Sequence, residues 1–259
     1  MSQFATHFAL LFSLFLCCNA QLIAISRTSE STALLLHQLS YAHLQILSVL
    51  TNSVSSILEQ KPSYDIRNLL SGTETMLTDL LSDNDVSPYF LLDSIQVMRM
   101  NKNLRAKIGS CLRRSGMKNL LFGLLVGGGK QLLHIVRGRD RVLHPHDCLL
   151  LLNFLTNSQS LRSSDESWTP ICLPHFSNRG FLYAYICYIS EGLCLTLITA
   201  DSSDFQNLRE AKTKIVEGET RNTRAVLLMR SWLVLSLCPP LTLFSSHPAV
   251  SVCSIFVST

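Results

Sequence analysis

The residues able to do chemistry fall in a few places. His144-Pro145-His146-Asp147-Cys148 sets two imidazoles and a thiol close together on a stretch entering an apolar run. Such groups hold a metal only when a fourth ligand converges on them, and their alternate spacing at a helix start makes capping and packing the default reading. Gly127-Gly128-Gly129-Lys130 offers backbone amides and a lysine, as a phosphate cradle does. Residue 131 is Gln where Ser or Thr is required, and a strand-like run follows where a helix is required, so the glycines read as a hairpin turn. No G-x-S-x-G elbow, H-E-x-x-H pair or set of paired carboxylates in an apolar frame occurs. The expectation is a regulatory or binding protein with no catalytic residue, no metal set and no cofactor.

A one-signed charge window is the second feature. Between Asp93 and Asp140 the sequence has no acidic residue, while Arg99, Lys102, Arg105, Lys107, Arg113, Arg114, Lys118, Lys130, Arg137 and Arg139 fall inside it. Such a block is drawn to phosphate on lipid or nucleic acid. No RNA-binding signature with interleaved aromatics accompanies it, so an acidic membrane is the expected partner and nucleic acid is not. Arg99, Lys102, Arg105, Lys107, Arg113, Arg114 and Lys118 are the membrane-contact candidates, with a solvated helix face as the alternative. Trp168, followed by Thr169-Pro170, reads as the opening of an edge strand, where a missing N–H is tolerated. An exposed Trp would instead be a partner contact, so Trp168 is carried as a candidate for one.

The elements that must position these groups follow from pattern. Leu120 to Val126 and Leu132 to Val136 are apolar runs joined by the glycines, a β-hairpin. Pro145 at a first helical position and Asp147 in the first turn start a helix. Trp168 to Leu173, Phe181 to Ile189 and Leu193 to Thr199 are strand-like, separated by the turn clusters Ser177-Asn178-Arg179-Gly180 and Ser190-Glu191-Gly192. Asp201 to Glu217 reads as a helix. The order ββαβββα belongs to the longin/roadblock type of α+β domain, an antiparallel five-stranded sheet with helices laid on it.

Upstream, Ser29 to Glu59 carries Leu36, Leu39, His43, Leu47, Leu50, Val54 and Ile57 or Leu58 at three-and-four spacing, a helix with one apolar stripe in which His43 is a core histidine. Phe90 to Ser115 is again helical in pattern, with apolar residues on one side and cations on the other. That suits a helix linking two domains while touching a charged surface, with a boundary near Ser115-Gly116. Phe8 to Cys18 resembles the core of a secretory signal, although no basic residue precedes it and no Asn-x-Ser/Thr sequon follows. The chain has 259 residues, 47% hydrophobic and 15% charged, with a formal charge of +4: enough for one or two cores, too apolar for disorder, and without a clean membrane span. Nine cysteines without CxxC spacing argue against a disulfide framework and for a reducing compartment, with Cys172, Cys187 and Cys194 acting as small hydrophobes on strands.

Three separated motifs add a resemblance. Tyr64-Asp65-Ile66-Arg67-Asn68-Leu69-Leu70-Ser71-Gly72, then Leu143-His144-Pro145-His146-Asp147 with its Leu run, then Glu166-Ser167-Trp168-Thr169-Pro170-Ile171-Cys172-Leu173-Pro174 with Gly180-Phe181, resemble the SAND or Mon-one vacuolar fusion family in the family's order, over about Gln21 to Glu217. The resemblance implies a subunit of a Mon/Ccz guanine-nucleotide exchange complex. It implies a Ccz-type longin partner, a late-endosomal Rab GTPase as client, acidic phosphoinositide membranes, and a cytoplasmic protein peripheral on late endosomes, vacuoles or lysosomes. Against that family the chain divides into an apolar, replaced or signal-like segment over 1–20, the last strand and helix of a first longin domain over 21–60, and a helical linker over 61–115. A second longin domain covers 116–217 and an unrelated tail 218–259. On this division the chain is expected to bind its partner with impaired exchange. The alternatives are a non-enzymatic longin adaptor that binds partners and acidic membranes, and a secreted product.

Overall fold

The computed structural model describes residues 10–17, 20–26, 31–51, 60–61, 69–86, 92–114, 116–117, 119–128, 130–138, 140–190, 192–216 and 254–258. In chain order its elements are β1 (Leu10–Cys17), β2 (Ala20–Ser26), α1 (Thr32–Leu50), α2 (Glu74–Val86) and α3 (Lys102–Arg114), then β3 (Phe122–Gly127), β4 (Gln131–Arg137), α4 (Pro145–Asn157) and α5 (Gln159–Ser163). They are followed by β5 (Glu166–Leu173), β6 (Ser177–Ser190), β7 (Leu193–Thr199), a 3-10 turn (Ser202–Asp204), α6 (Phe205–Val216) and β8 (Ser254–Ser258). The described residues form two compact units: the first takes those up to Ser94 with Asn178–Gly180 and β8, and the second takes the rest from Ile95 onward. Several sequence expectations lie outside the described residues: Lys118, Arg139, Val54, Ile57 and Leu58, most of the Tyr64 to Gly72 motif, and the tail up to residue 253.

In the first unit β1 and β2 pair antiparallel, with Leu10 opposite Ser26 and Cys17 opposite Ala20, and β8 pairs antiparallel with the other edge of β2. Leu10–Cys17, read above as part of a replaced or signal-like segment, is thus a sheet strand. Five residues of the tail described as unrelated are another. An apolar run of eight residues has the length of a strand as well as of a signal core, and only its neighbours decide which it becomes. Helix α1 begins where the Ser31 side chain accepts from Leu34 N at 3.2 Å, satisfying an amide the helix itself cannot. It ends at Thr51, whose φ of 58° breaks the helix while its N–H still reaches Leu47 O at 2.8 Å. The buried face of α1 is Leu35, Gln38, Leu39, Ala42, Gln45 and Ile46; Leu36, expected in the core, is 44% exposed. The stripe is rotated because leucine fills three consecutive positions from 34 to 36, so apolar spacing alone allows more than one phase. Gln45 enters the core by bonding Ser48 Oγ through Nε2 at 2.8 Å. By composition α1 could cross a bilayer, but its buried leucines show a core helix passing the same test.

The second unit realises ββαβββα. Its sheet has the order β4-β3-β7-β6-β5, antiparallel throughout. Period-two alternation sends Leu125, Tyr185, Cys187, Leu193, Leu195 and Leu197 to one face, against Ile108 and Leu112 of α3 and Leu208 and Ile215 of α6. Phe122, Leu124, Val126, Ala184, Ile186, Cys194 and Ile198 go to the other, against Leu151, Leu152 and Leu155 of α4. With helices on both faces, the central strand β7 is buried at every position. Its sequence is therefore a continuous apolar run rather than an apolar and polar alternation. Cys111, Cys148, Cys172, Cys187 and Cys194 are free, and the last four are buried among these residues.

Two readings need correction here. The helix expected over 90–115 forms only from Lys102, with the Asn101 side chain accepting from Asn103 N at 2.8 Å. Before it, residues 96–98 run extended beside the β4 edge: Leu132 N donates to Gln96 O at 2.8 Å and Met98 N to Leu132 O at 3.0 Å. Helix α3 is therefore no linker, because its apolar face is buried in the second unit's own core. Gly109 permits the close approach, since a Cβ there would lie 2.5 Å from His134 Nε2 on β4. The turn expected at Ser177 to Gly180 lies instead at Pro174 to Phe176, and Ser177 already faces Leu173 in the ladder.

Candidate functional site

Helix α3 presents Lys102, Asn103, Ala106, Lys107, Arg113 and Arg114 to solvent, and Arg99 is exposed just ahead of it. The exposed face carries four cations and no acid, while Ile108, Gly109 and Leu112 are buried. Arg105 turns inward: its two terminal nitrogens donate to Leu133 O and Met98 O at 2.5 Å each, tying α3 to β4 and to the extended stretch before the helix. Of the sequence candidates, then, Arg99, Lys102, Lys107, Arg113 and Arg114 share a solvent-facing region, Arg105 is a structural tie, and Lys118 lies outside the described residues. Beneath the cations, burial pushes His134 below the ordinary histidine value, and Arg113 and Arg105 push it further down. Because the apolar side of α3 is already occupied, a membrane could meet this helix through charge alone.

Trp168 is half-buried on edge strand β5. Its ring stacks on Tyr183 of β6 at 5.6 Å and 12° and meets the edge of Phe205 of α6 at 5.7 Å. Two residues away Glu166 accepts from Lys212 at 3.0 Å and pairs with Arg209 at 3.2 Å. Burial pushes the Glu166 carboxyl up, but the Lys212 hydrogen bond and the charges of Lys212 and Arg209 outweigh it, leaving the group below its usual value. Trp168 and Glu166 together fasten α6 to the sheet edge, which assigns Trp168 the packing role. Pro170, exposed on the same strand, sits at an edge that needs no amide from it.

The histidines gather at the start of α4. His144 caps the helix, its Nδ1 accepting from His146 N at 3.3 Å. His175, from the turn between β5 and β6, stacks on His144 at 4.1 Å and brings Nε2 to 3.2 Å from His146 Nδ1. The fully buried Asp147 holds that turn in place by accepting from His175 N at 3.1 Å and Phe176 N at 2.9 Å. Burial pushes the Asp147 carboxyl up, against those amide bonds and the neighbouring imidazoles. Burial and His144 press His175 down. Cys148, grouped with the histidines by sequence, points into the core, where burial and Asp147 push its thiol up to about 12. The partner that sequence reasoning missed is His175, and no local spacing links it to His144 and His146.

Two further polar groups are structural. Lys130 Nζ donates to Asn153 Oδ1 at 3.2 Å, so the lysine of the glycine turn is bound to α4. Asp204 accepts from Asn207 at 2.9 Å, Thr199 at 2.9 Å and Asn119 at 3.1 Å, and these bonds, Asn207 first, keep its carboxyl below the usual value.

Residues 118–217 match the family model for the second longin domain of FUZ, MON1 and HPS1, and residues 5–80 match the model for the first longin domain of the same proteins. The first match starts earlier and runs further than the 21–60 expected from motifs. The chain is 37% identical over 199 residues to vacuolar fusion protein MON1 homolog A of Gallus gallus, covering 76% of this chain and 36% of that protein. With Protein SAND of Takifugu rubripes it shares 37% identity over 205 residues, 78% of this chain and 39% of the relative. With vacuolar fusion protein MON1 of Yarrowia lipolytica it shares 40% over 198 residues, 75% and 36%. The chain thus matches between 36% and 39% of the length of these relatives.

Proposed function

The chain belongs to the longin family of FUZ, MON1 and HPS1, and we propose from that premise that it acts in vacuolar fusion and endosomal trafficking as one subunit of a guanine-nucleotide exchange complex. Its partner in this reading is a Ccz-type longin subunit, its client a late-endosomal Rab GTPase, and its place the cytoplasmic surface of endosome, vacuole or lysosome membranes. The observation that carries the proposal is the pair of family matches, first and second longin domains in order along one chain, among relatives named for vacuolar fusion.

Exchange of this kind asks for no covalent step. A surface that binds the nucleotide-free GTPase more tightly than the loaded one speeds release by that difference in affinity. Sheet edges and helix faces are suited to such contacts. The test is release of a fluorescent guanine nucleotide from the Rab, with this chain plus the Ccz-type subunit against that subunit alone. Faster release in the combined sample is expected, and equal rates would reject the exchange role.

The exposed cations of α3 favour a second reading, an adaptor that binds acidic membranes. Each cation near an anionic surface contributes about 1 kcal/mol, so reversing Lys107, Arg113 and Arg114 to Glu should weaken binding to phosphoinositide vesicles by more than ~100-fold. Flotation of vesicles with the full chain measures it. Because α3 has no apolar face left to insert, binding should also fall steeply as salt rises and the Debye length shrinks from about 10 Å at 0.1 M to about 3 Å at 1 M. Retention at high salt would remove α3 from the membrane contact.

A further inference from the structure

His144, His146 and His175 come from two elements and meet on the surface, with one ligand atom from each lying within 4.8 Å of the other two. Tetrahedral zinc holds nitrogens at about 2.0–2.1 Å, which places ligand nitrogens roughly 3.3–3.4 Å apart. The His146 and His175 nitrogens, at 3.2 Å, already stand at that spacing. The widest pair must close by about 1.4 Å, within reach of ring rotation, since His144 and His175 are exposed and His146 is only half-buried. A hydrogen bond between imidazoles accounts for the close pair, and the third ring, His144, stacks on His175 at 4.1 Å.

The support beneath the rings is firmer than a chance surface grouping provides. Asp147, adjacent to His146 and fully buried, binds the amides of His175 and Phe176. One carboxylate therefore locks the turn that carries the third ligand onto the helix start that carries the first two. That helix start disfavours a cation through its dipole, and the Asp147 carboxylate in the first turn opposes the penalty. Arg141 is held over the Phe176 ring at 5.9 Å. Imidazole ligands without thiolate or carboxylate select borderline divalent ions over calcium or magnesium.

We propose that His144, His146 and His175 form a three-imidazole site for a borderline divalent transition-metal ion, zinc in the first instance, with solvent at the fourth position. The ion clips the β5–β6 turn to the start of α4. The site stands on its own geometry and does not depend on the exchange reading.

The test uses the tag-free full chain, freed of metal by a chelator. Zinc is titrated against a chromophoric chelator, and cobalt is added to a second sample for its absorption spectrum. One equivalent binding at about 10 µM or tighter is expected, with a raised melting temperature in zinc, as for any ligand that binds the folded state. The cobalt spectrum should show the visible bands of a nitrogen-ligated ion without a near-ultraviolet thiolate band. His175→Ala should weaken zinc binding at least tenfold, as should His144→Ser, in which the serine keeps a capping oxygen for α4; His37→Gln should not. A thiolate band, binding unchanged in both cluster variants, or no binding at 100 µM zinc would each overturn the site. If either variant fails to fold, the cobalt spectrum of the unsubstituted chain still decides.

Discussion

At the scale of single residues, two side chains hold more structure than their sequence context announces. Trp168 spans β5, β6 and α6 through its contacts with Tyr183 and Phe205. Removing a half-buried indole of this kind should cost about 2–4 kcal/mol, so Trp168→Ala should lower the urea midpoint clearly while Trp168→Phe recovers much of the loss. An unchanged midpoint for the alanine variant would return Trp168 to the role of partner contact. Asp147→Ala leaves the His175 amide without its acceptor, at about 1–3 kcal/mol if it stays buried, while the Phe176 amide keeps Leu173 O at 3.0 Å. Hydrogen exchange at the His175 amide should rise; protection there equal to the unsubstituted chain would contradict the tie. The turn at Pro174 to Phe176 was illegible for this reason. Its conformation is set by a carboxylate far away in sequence, while the nearby Ser177 to Gly180 cluster has turn-forming composition but lies in a strand.

At the scale of elements, the second unit was the most legible part of the chain. Its β3–β4 and β6–β7 pairs are apolar runs joined at glycine turns, and Gly128 and Gly192 take the positive φ of 56° and 74° that those turns need. Helix α3 was misread as a linker because amphipathic spacing says that a helix has an apolar face without saying which core receives it. Helix α1 was phased wrongly because Gln38 and Gln45 are buried and Leu36 is not. Element packing also sets a pH response. Burial pushes His43 of α1 below its ordinary value of 6.5, and burial with Arg113 and Arg105 does the same to His134 of β4. A histidine whose folded value is depressed takes up its proton more readily when unfolded, so its contribution to stability is present above pH 6.5 and is lost as pH falls below that point. The melting temperature should therefore drop between pH 7.5 and pH 5.5, and His134→Gln should flatten the drop. A melting temperature that rises on acidification over this range would contradict the burial of both rings.

At the scale of the molecule, the described residues make two units, each a sheet with helices packed on it, and family matches to the first and second longin domains in the same order. The second domain was readable from pattern alone. The first was not, because its strand β1 resembles a signal core and its strand β8 comes from the far end of the sequence, where no local spacing links it to β2. The sheet edges and helix faces of such units suit partner docking, and this chain is proposed to be a docking subunit. Its most direct test is co-expression of the full chain with a Ccz-type longin subunit, followed by size exclusion with light scattering. A single peak with the mass of a one-to-one complex is expected. Two separate peaks at micromolar concentration, with the chain eluting alone and folded, would contradict it.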